Sequence, residues 1–272
     1  MLNTLLRDLK IIVEELISRL RSKDCVLVAF SGGVDSSLVA YLAHLALGDR
    51  SLAVTIKSPL LPPGELEEAI KIAKLIGMRY EIIELNELEI PGFSSNPRNR
   101  CYLCKKFRFK RLKELASQRG IHVVVDGTSK SDTLEYRPGL RALIEEGVYS
   151  PLLEVGLTKD HVREIVRFLN LPFYDKPPNS CLMTRIPYGS EVTLEKLTRI
   201  GLAEKIIKES LRLRVIRVRD HGELARIEVS RDERRLFFDE TVLDFIANEL
   251  KKLGFKFVTI DVEGYRTGSF DL

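Results

Sequence analysis

Ser31-Gly32-Gly33-Val34-Asp35-Ser36-Ser37 carries the densest phosphate-binding chemistry in the chain. Its two glycines let the backbone come close to an anion and reach positive φ. The amides of such a turn, and of a helix start that follows it, point at an anion where the helix dipole favours negative charge. Ser31, Ser36 and Ser37 add hydroxyl donors. Asp35 is out of place beside phosphate until a magnesium ion is placed between them. The run lacks the Lys of a Walker A loop, and the chain shows no G-x-G-x-x-G. Those absences argue against a P-loop kinase or GTPase and against a nicotinamide enzyme. Asp126-Gly127-Thr128 follows a later apolar strand and can meet a nucleotide from the other side, while Lys57 ends a strand where adenine or phosphate can sit. Taken singly, each of these also reads as an ordinary loop residue.

Sulfur chemistry is the second candidate. Cys101-Tyr102-Leu103-Cys104 sets two thiols at i and i+3, facing the same way near a helix start, where the dipole favours thiolate. Cys181 ends the Pro-rich loop Lys176-Pro177-Pro178-Asn179-Ser180-Cys181, and Cys25, before the first strand, reads as a small buried hydrophobe. The residues alone leave a redox pair or disulfide, a zinc site completed by a histidine, and a three-cysteine 4Fe–4S cluster all open. In the last case one iron is left open, able to bind a sulfide or a substrate.

Strands alternating with helices must position these groups. Val26 to Phe30 is an unbroken apolar run of the kind a buried parallel strand shows. Further strands are expected over Leu52 to Ile56, Tyr80 to Leu85 and Val123 to Val125. Between them lie helices from the phosphate loop to about Leu47, from Pro62-Pro63-Gly64 to about Ile76 (Leu66, Ile70 and Ala73 on one face), and from Cys101 to Arg119. Met1 to Leu20 is an amphipathic helix, Asn86 to Arg100 a loop, and Thr158 to Asn170 a further helix. This order implies an α/β fold with a doubly wound parallel sheet, whose ligands bind beyond the carboxyl ends of the strands. The loops at Ser31, Lys57, Cys101 and Asp126 then share one rim. After about Gly189 the pattern changes to a helix (Thr193 to Ser210), two strands (Val215 to Arg219 and Leu224 to Val229), a helix (Val242 to Leu253) and a strand (Lys256 to Val262). That describes a smaller α+β domain of about 80 residues.

The 272 residues are 44% hydrophobic and 30% charged, with a net charge of +4, enough to bury a full core. No Lys/Arg block marks a nucleic-acid footprint, and no apolar run is long enough to span a bilayer. A cytoplasmic protein is expected. Gln118 is the single glutamine and Trp is absent, a depletion that accompanies thermophily. In Val215-Ile216-Arg217-Val218-Arg219 apolar and basic residues alternate, so Arg217 and Arg219 share one strand face. Arg226 can join them from the neighbouring strand, and Arg266 can reach the same place. Such guanidiniums suit a phosphate or carboxylate, or else an ordinary salt-bridged surface.

With these pieces the chain resembles the LarE family, ATP-dependent sulfur transferases of the PP-loop ATP pyrophosphatase superfamily that act in biosynthesis of the nickel-pincer nucleotide cofactor of lactate racemase. The resemblance covers essentially the whole chain. It rests on Ser31 to Ser37, Asn99 to Lys105, Asp126 to Thr128, Ser180 to Gly189, Arg217 to Arg219, Leu224 to Glu228 and Glu263 to Gly268. The first motif is shared by the wider superfamily and the later ones are narrower. It implies a PP-loop domain over 1–189 and a substrate-binding and oligomerisation domain over 190–272. ATP and Mg2+ are expected at Ser31, Gly32, Gly33, Asp35, Ser36, Ser37, Lys57, Asp126, Gly127 and Thr128, with Asp35 and Cys181 in catalytic roles. The nucleotide substrate, pyridinium-3,5-dicarboxylic acid mononucleotide, is expected at Arg185, Arg217, Arg219, Arg226 and Arg266. Family members take sulfur either from a single sacrificed cysteine, aligned with Cys181, or from a 4Fe–4S cluster on three cysteines matching Cys101, Cys104 and Cys181. This sequence has all three, the pattern of the cluster-dependent kind. Glu204 and Asp232 are candidates to assist sulfur transfer, Arg100, Lys105 and Arg185 give the thiols an electropositive setting, and a homo-oligomer is expected. Two other readings are a tRNA thiolase, which would need an RNA-binding module and a basic surface, and a non-sulfur synthetase or amidotransferase with structural cysteines.

Overall fold

The computed structural model describes residues 2–134, 138–266 and 270, with side chains from Arg7 onward. The chain separates into two compact units: residues 1–58, 64–85 and 99–178 form one, and residues 59–63, 86–98 and 179–272 the other.

In the first unit α1 (Leu2–Arg21) buries Leu9, Val13, Leu16 and Leu20, a stripe at helical spacing. Then follow β1 (Val26–Ala29), α2 (Val34–Leu47), β2 (Ser51–Lys57), α3 (Glu65–Ile76), β3 (Arg79–Glu84), α4 (Arg100–Gln118) and β4 (Val123–Val125). All pairings are parallel, in the order β3-β2-β1-β4. β1 shows why its apolar run is unbroken. Val26 and Val28 face a core built with Leu16, Leu38, Leu42, Ile72 and Ile165, while Leu27 faces a second core with Phe109, Leu112 and Leu143. A strand covered on both faces has no polar side, and each such Leu or Val contributes about 1.5–3 kcal/mol by leaving water. The chain builds the sheet outward from β1 to β3 and then returns to the other side of β1 for β4. That reversal makes the carboxyl ends of β1 and β4 the switch point, where a doubly wound sheet opens a crevice.

α3 starts at Glu65, after the proline segment, and its buried face is Ala69, Ile72, Ala73 and Ile76 rather than a Leu66–Ile70 stripe. After β4 come two helices that the sequence pattern does not announce, α5 (Gly139–Glu145) and α6 (Pro151–Glu154), and then α7 (Lys159–Phe168).

The second unit contains α8 (Leu194–Leu211), β5 (Ile216–His221), β6 (Leu224–Val229), α9 (Glu240–Lys252) and β7 (Phe257–Ile260). β5 and β6 form an antiparallel hairpin, and β7 adds parallel to β6. Ile207, Val218, Ile227, Phe237, Ile246, Leu250 and Phe255 fill its core. The unit begins at Asn179, ten residues before the boundary expected after Gly189, because the Cys181 segment pairs with the two short insertions. Leu182 N–H donates to Leu60 O at 2.8 Å, and Val192 N–H to Ser94 O at 2.7 Å. Asn96, fully buried and at φ 54°, donates from Nδ2 to Ile186 O at 3.0 Å and Pro187 O at 2.8 Å. Asn tolerates that left-handed backbone, and no solvent can replace its amide. Asn96→Ala is expected to cost about 1–3 kcal/mol in urea unfolding, through orphaned carbonyls and backbone strain together.

Candidate functional site

The phosphate loop leaves β1 and enters α2 with Gly33 as the residue before the helix. Gly32 sits at φ +70°, and a Cβ there would stand 2.8 Å from Ala69 Cα of α3. Gly127, after β4, is tighter: its Cβ would lie 2.6 Å from the backbone nitrogen of Ser36. The loops that meet at the switch point are therefore packed backbone to backbone, which only glycine permits. Within the loop Ser36 Oγ accepts from Ser31 N–H at 3.3 Å, donates to Gly33 O at 3.2 Å and lies 3.0 Å from Ser31 Oγ. Gly33 N–H reaches Ser31 Oγ at a long 3.3 Å. Ser37 Oγ is buried and has no hydrogen-bond partner among the described residues. Asp35 lies in the first turn of α2.

Asp126 is buried and fully engaged. Its carboxylate accepts from Thr128 N–H at 3.2 Å, Thr128 Oγ1 at 2.5 Å and Ser150 Oγ at 2.6 Å. It fixes the shape of the 126–128 turn, which brings Gly127 against α2. Lys57 ends β2 and pairs with Glu84 of β3 at 2.6 Å, both side chains exposed. Lys176, which no sequence pattern singles out, reaches the loop itself. Its Nζ donates to Gly32 O at 3.0 Å and to Glu65 Oε2 at 3.0 Å.

All four cysteines are reduced thiols; Cys101 is exposed, and Cys104 and Cys181 are half-buried. Cys101 and Cys104 occupy the first turn of α4. That turn is held by α5. A Cβ on Gly139 would meet Lys105 Cδ at 2.8 Å and Cys101 O at 3.3 Å. Tyr102 Oη donates to Glu145 Oε2 at 2.7 Å, Lys106 Nζ to the same oxygen at 2.5 Å, and Arg141 Nε to Oε1 at 2.7 Å. These hydrogen bonds, from Lys106 first and then Tyr102 and Arg141, pull the Glu145 carboxyl down to about 2. Among the described residues no three of His, Cys, Asp and Glu stand together as a ready-made metal site.

Cys181 belongs to the second unit, and Arg185 holds its loop. Arg185 Nη1 donates to Ser180 O at 2.8 Å, Ser180 Oγ at 2.8 Å, Cys181 O at 3.0 Å and Thr184 Oγ1 at 3.0 Å. Its Nε and Nη2 form a bidentate pair with Glu204 at 2.8 and 3.0 Å. Arg185 is 0% exposed. Glu204 also accepts from Val218 N–H at 3.0 Å, tying α8 to β5. Asp232 is exposed on the loop after β6.

The strand arginines do come together. Arg217 and Arg219 are buried on one face of β5, and the register sets Arg219 opposite Arg226 and Arg217 opposite Glu228. Glu228 accepts from Arg219 at 2.6 Å and Arg226 at 3.0 Å, while Arg219 also donates to Thr184 O at 2.8 Å. Burial, and next the Arg185 cation, pull the Arg217 guanidinium below its ordinary value. Its plane lies 5.1 Å from the Tyr265 ring centre. Arg266 pairs with Glu263 at 2.6 Å at the surface, and Thr267 and Gly268 of the same motif lie outside the described residues.

The NAD synthase family model matches residues 5–195. The chain is 42% identical to an uncharacterised protein of Synechocystis over 91% of this chain and 92% of that one. It is 35% identical to the pyridinium-3,5-bisthiocarboxylic acid mononucleotide synthase of Lactiplantibacillus plantarum, over 93% of this chain and 91% of the relative. The chain belongs to the LarE family. It is thus an ATP-using sulfurtransferase with a PP-loop domain. A glutamine-hydrolysing GMP synthase of Archaeoglobus fulgidus is more distant, 29% identical over 75% of this chain and 72% of its own length. Within the LarE fold the glycine cradle and the buried Ser37 hydroxyl fit a nucleotide's phosphates. Among the described residues no helix is long and apolar enough to cross a membrane.

Gly127→Ala is expected to weaken binding of α,β-methylene-ATP at least about tenfold by titration calorimetry, because the new methyl must push the 126–128 turn away from α2. The Glu145 carboxyl is expected to titrate by NMR near its depressed value of about 2. Being depressed, it stabilises the α4–α5 link above the ordinary carboxylate range, and that support is lost only as pH falls through about 2. Lys106→Met should move the midpoint up.

Proposed function

We propose that this LarE-family enzyme adenylylates a carboxylate of pyridinium-3,5-dicarboxylic acid mononucleotide and converts it to a thiocarboxylate, with sulfur carried by a 4Fe–4S cluster on Cys101, Cys104 and Cys181. The observation that carries the substrate assignment is the 35% identity, along 91% of its length, to a synthase of pyridinium-3,5-bisthiocarboxylic acid mononucleotide. The buried arginine face supports it. Arg217 is penalised by burial and by Arg185, and an arriving phosphate or carboxylate relieves that penalty.

In the proposed reaction Ser31, Gly32, Gly33, Ser36 and Ser37 hold the ATP phosphates, with Asp35 beside Mg2+, and Arg217, Arg219 and Arg226 hold the nucleotide substrate. A substrate carboxylate oxygen attacks the α-phosphorus, the bond to the bridging oxygen breaks, and pyrophosphate leaves. Loop amides and the metal stabilise the developing charge. A sulfur nucleophile then attacks the acyl carbon, and AMP departs with the former carboxylate oxygen. A cluster held by three cysteines supplies an open iron position at which that sulfur is bound. Cys101 and Cys104 share one helical turn and Cys181 sits on a loop, all as thiols, so the donor set suits such a cluster. Arg185 serves by holding the Cys181 loop through its carbonyls and hydroxyls. The enzyme would act in the cytoplasm, as a homo-oligomer.

Anaerobically purified protein is expected to contain about four irons per chain, with acid-labile sulfide and broad visible absorption, and Cys104→Ala to lose them. Iron-free protein that resists reconstitution, yet still yields thiocarboxylate once per chain, would reassign Cys181 as a sacrificed donor. Release of AMP and pyrophosphate with ammonia as acceptor, undiminished in Cys181→Ala, would favour an amidotransferase.

A further inference from the structure

Lys176 is built into the phosphate loop without belonging to its motif. It lies beyond α7, in the segment that leads to Cys181. Arg163 of α7 fixes that segment by donating to Tyr174 O at 2.5 Å and Lys176 O at 3.0 Å. The Lys176 side chain is only 15% exposed and its partner Glu65, the first residue of α3, only 17%. The ammonium is therefore spent on one carboxylate and one backbone carbonyl, that of Gly32.

That carbonyl belongs to the peptide joining Gly32 to Gly33. In a trans peptide the C=O and the following N–H point in opposite directions. Holding Gly32 O in place therefore aims Gly33 N–H to the other side, where it makes its long 3.3 Å contact with Ser31 Oγ. A peptide between two glycines has no Cβ on either flank to resist rotation, so its orientation needs an outside restraint. Ala69 closes one side of Gly32, and Lys176 supplies a charged donor for the carbonyl.

We propose that Lys176, braced by Glu65, is a positioning residue that sets the Gly32–Gly33 peptide so that the Gly33 amide faces the ATP phosphates. This rests on the reading of the Ser31–Ser37 loop as the ATP site. Lys176 acts through the backbone and not as a phosphate ligand.

The test is binding of α,β-methylene-ATP with Mg2+ to the full chain, which requires no sulfur chemistry. Lys176→Met is expected to weaken binding roughly 10- to 100-fold, as loss of a charged hydrogen bond does. Glu65→Gln should weaken it in the same direction, and Lys176→Arg should recover most of the loss, since a guanidinium can still donate to the carbonyl. Melting temperatures measured alongside separate this from unfolding. Glu65→Gln binding as tightly as wild type or more tightly, while Lys176→Met binds weakly, would make Lys176 a direct phosphate ligand and overturn the proposal. Unchanged binding in Lys176→Met would also overturn it. A wild-type chain that fails to bind the analogue sinks the ATP-site reading itself and the inference with it.

Discussion

The site depends on one close approach of two backbones. At the switch point the turn after β4 comes so near to the first turn of α2 that Gly127 has no room for a side chain against Ser36 N. Two demands produce this. β4 must return beside β1, since that edge of β1 is the one β2 leaves open. The turn that follows must then stay low, and Asp126 keeps it there by accepting from Thr128 and from Ser150. A looser turn would leave the helix N-terminus facing solvent and its dipole screened.

In the second unit the organising force is charge. Guanidiniums on neighbouring strands repel, and the fold tolerates them because Glu204 and Glu228 are buried among them. Such pairs contribute little net stability, since desolvation consumes most of the Coulombic gain, but removing one partner costs about 3–5 kcal/mol. They hold planar donors at fixed angles, which suits the recognition of phosphate or carboxylate. Arg185 has gone further and become internal scaffolding, with Glu204 on one side and the Cys181 loop on the other.

The elements that obey a short period were legible in the sequence. β1 to β4 and α2 show as apolar runs and glycine punctuation, and β6 was readable to its last residue because polar and apolar alternate along it. The phosphate loop was legible because its chemistry is contiguous. What escaped is what arises only from long-range contact. The insertions 59–63 and 86–98 join the second unit through Leu60 O and through Asn96, and no local pattern marks them. α5 and α6 are too short to show a period. Lys176 looks like any surface lysine until Gly32 O and Glu65 are found at its tip. Arg185 and Arg219 were recognisable as special, but their burial was not, because a sequence does not say which carboxylate will reach them.

The path of the chain has an evolutionary corollary. Between the two units it crosses after residues 58, 63, 85, 98 and 178, so neither is a contiguous stretch. Cutting after 178 would release 179–272 without the strands of backbone that receive Leu182 N–H and hold Ile186 O. The second unit cannot have been acquired by fusion at one point, nor can it be traded between relatives by one recombination event. Any change to the face that receives the substrate has to be inherited together with the frame that carries the phosphate loop, so the two are bound to diversify as a single lineage.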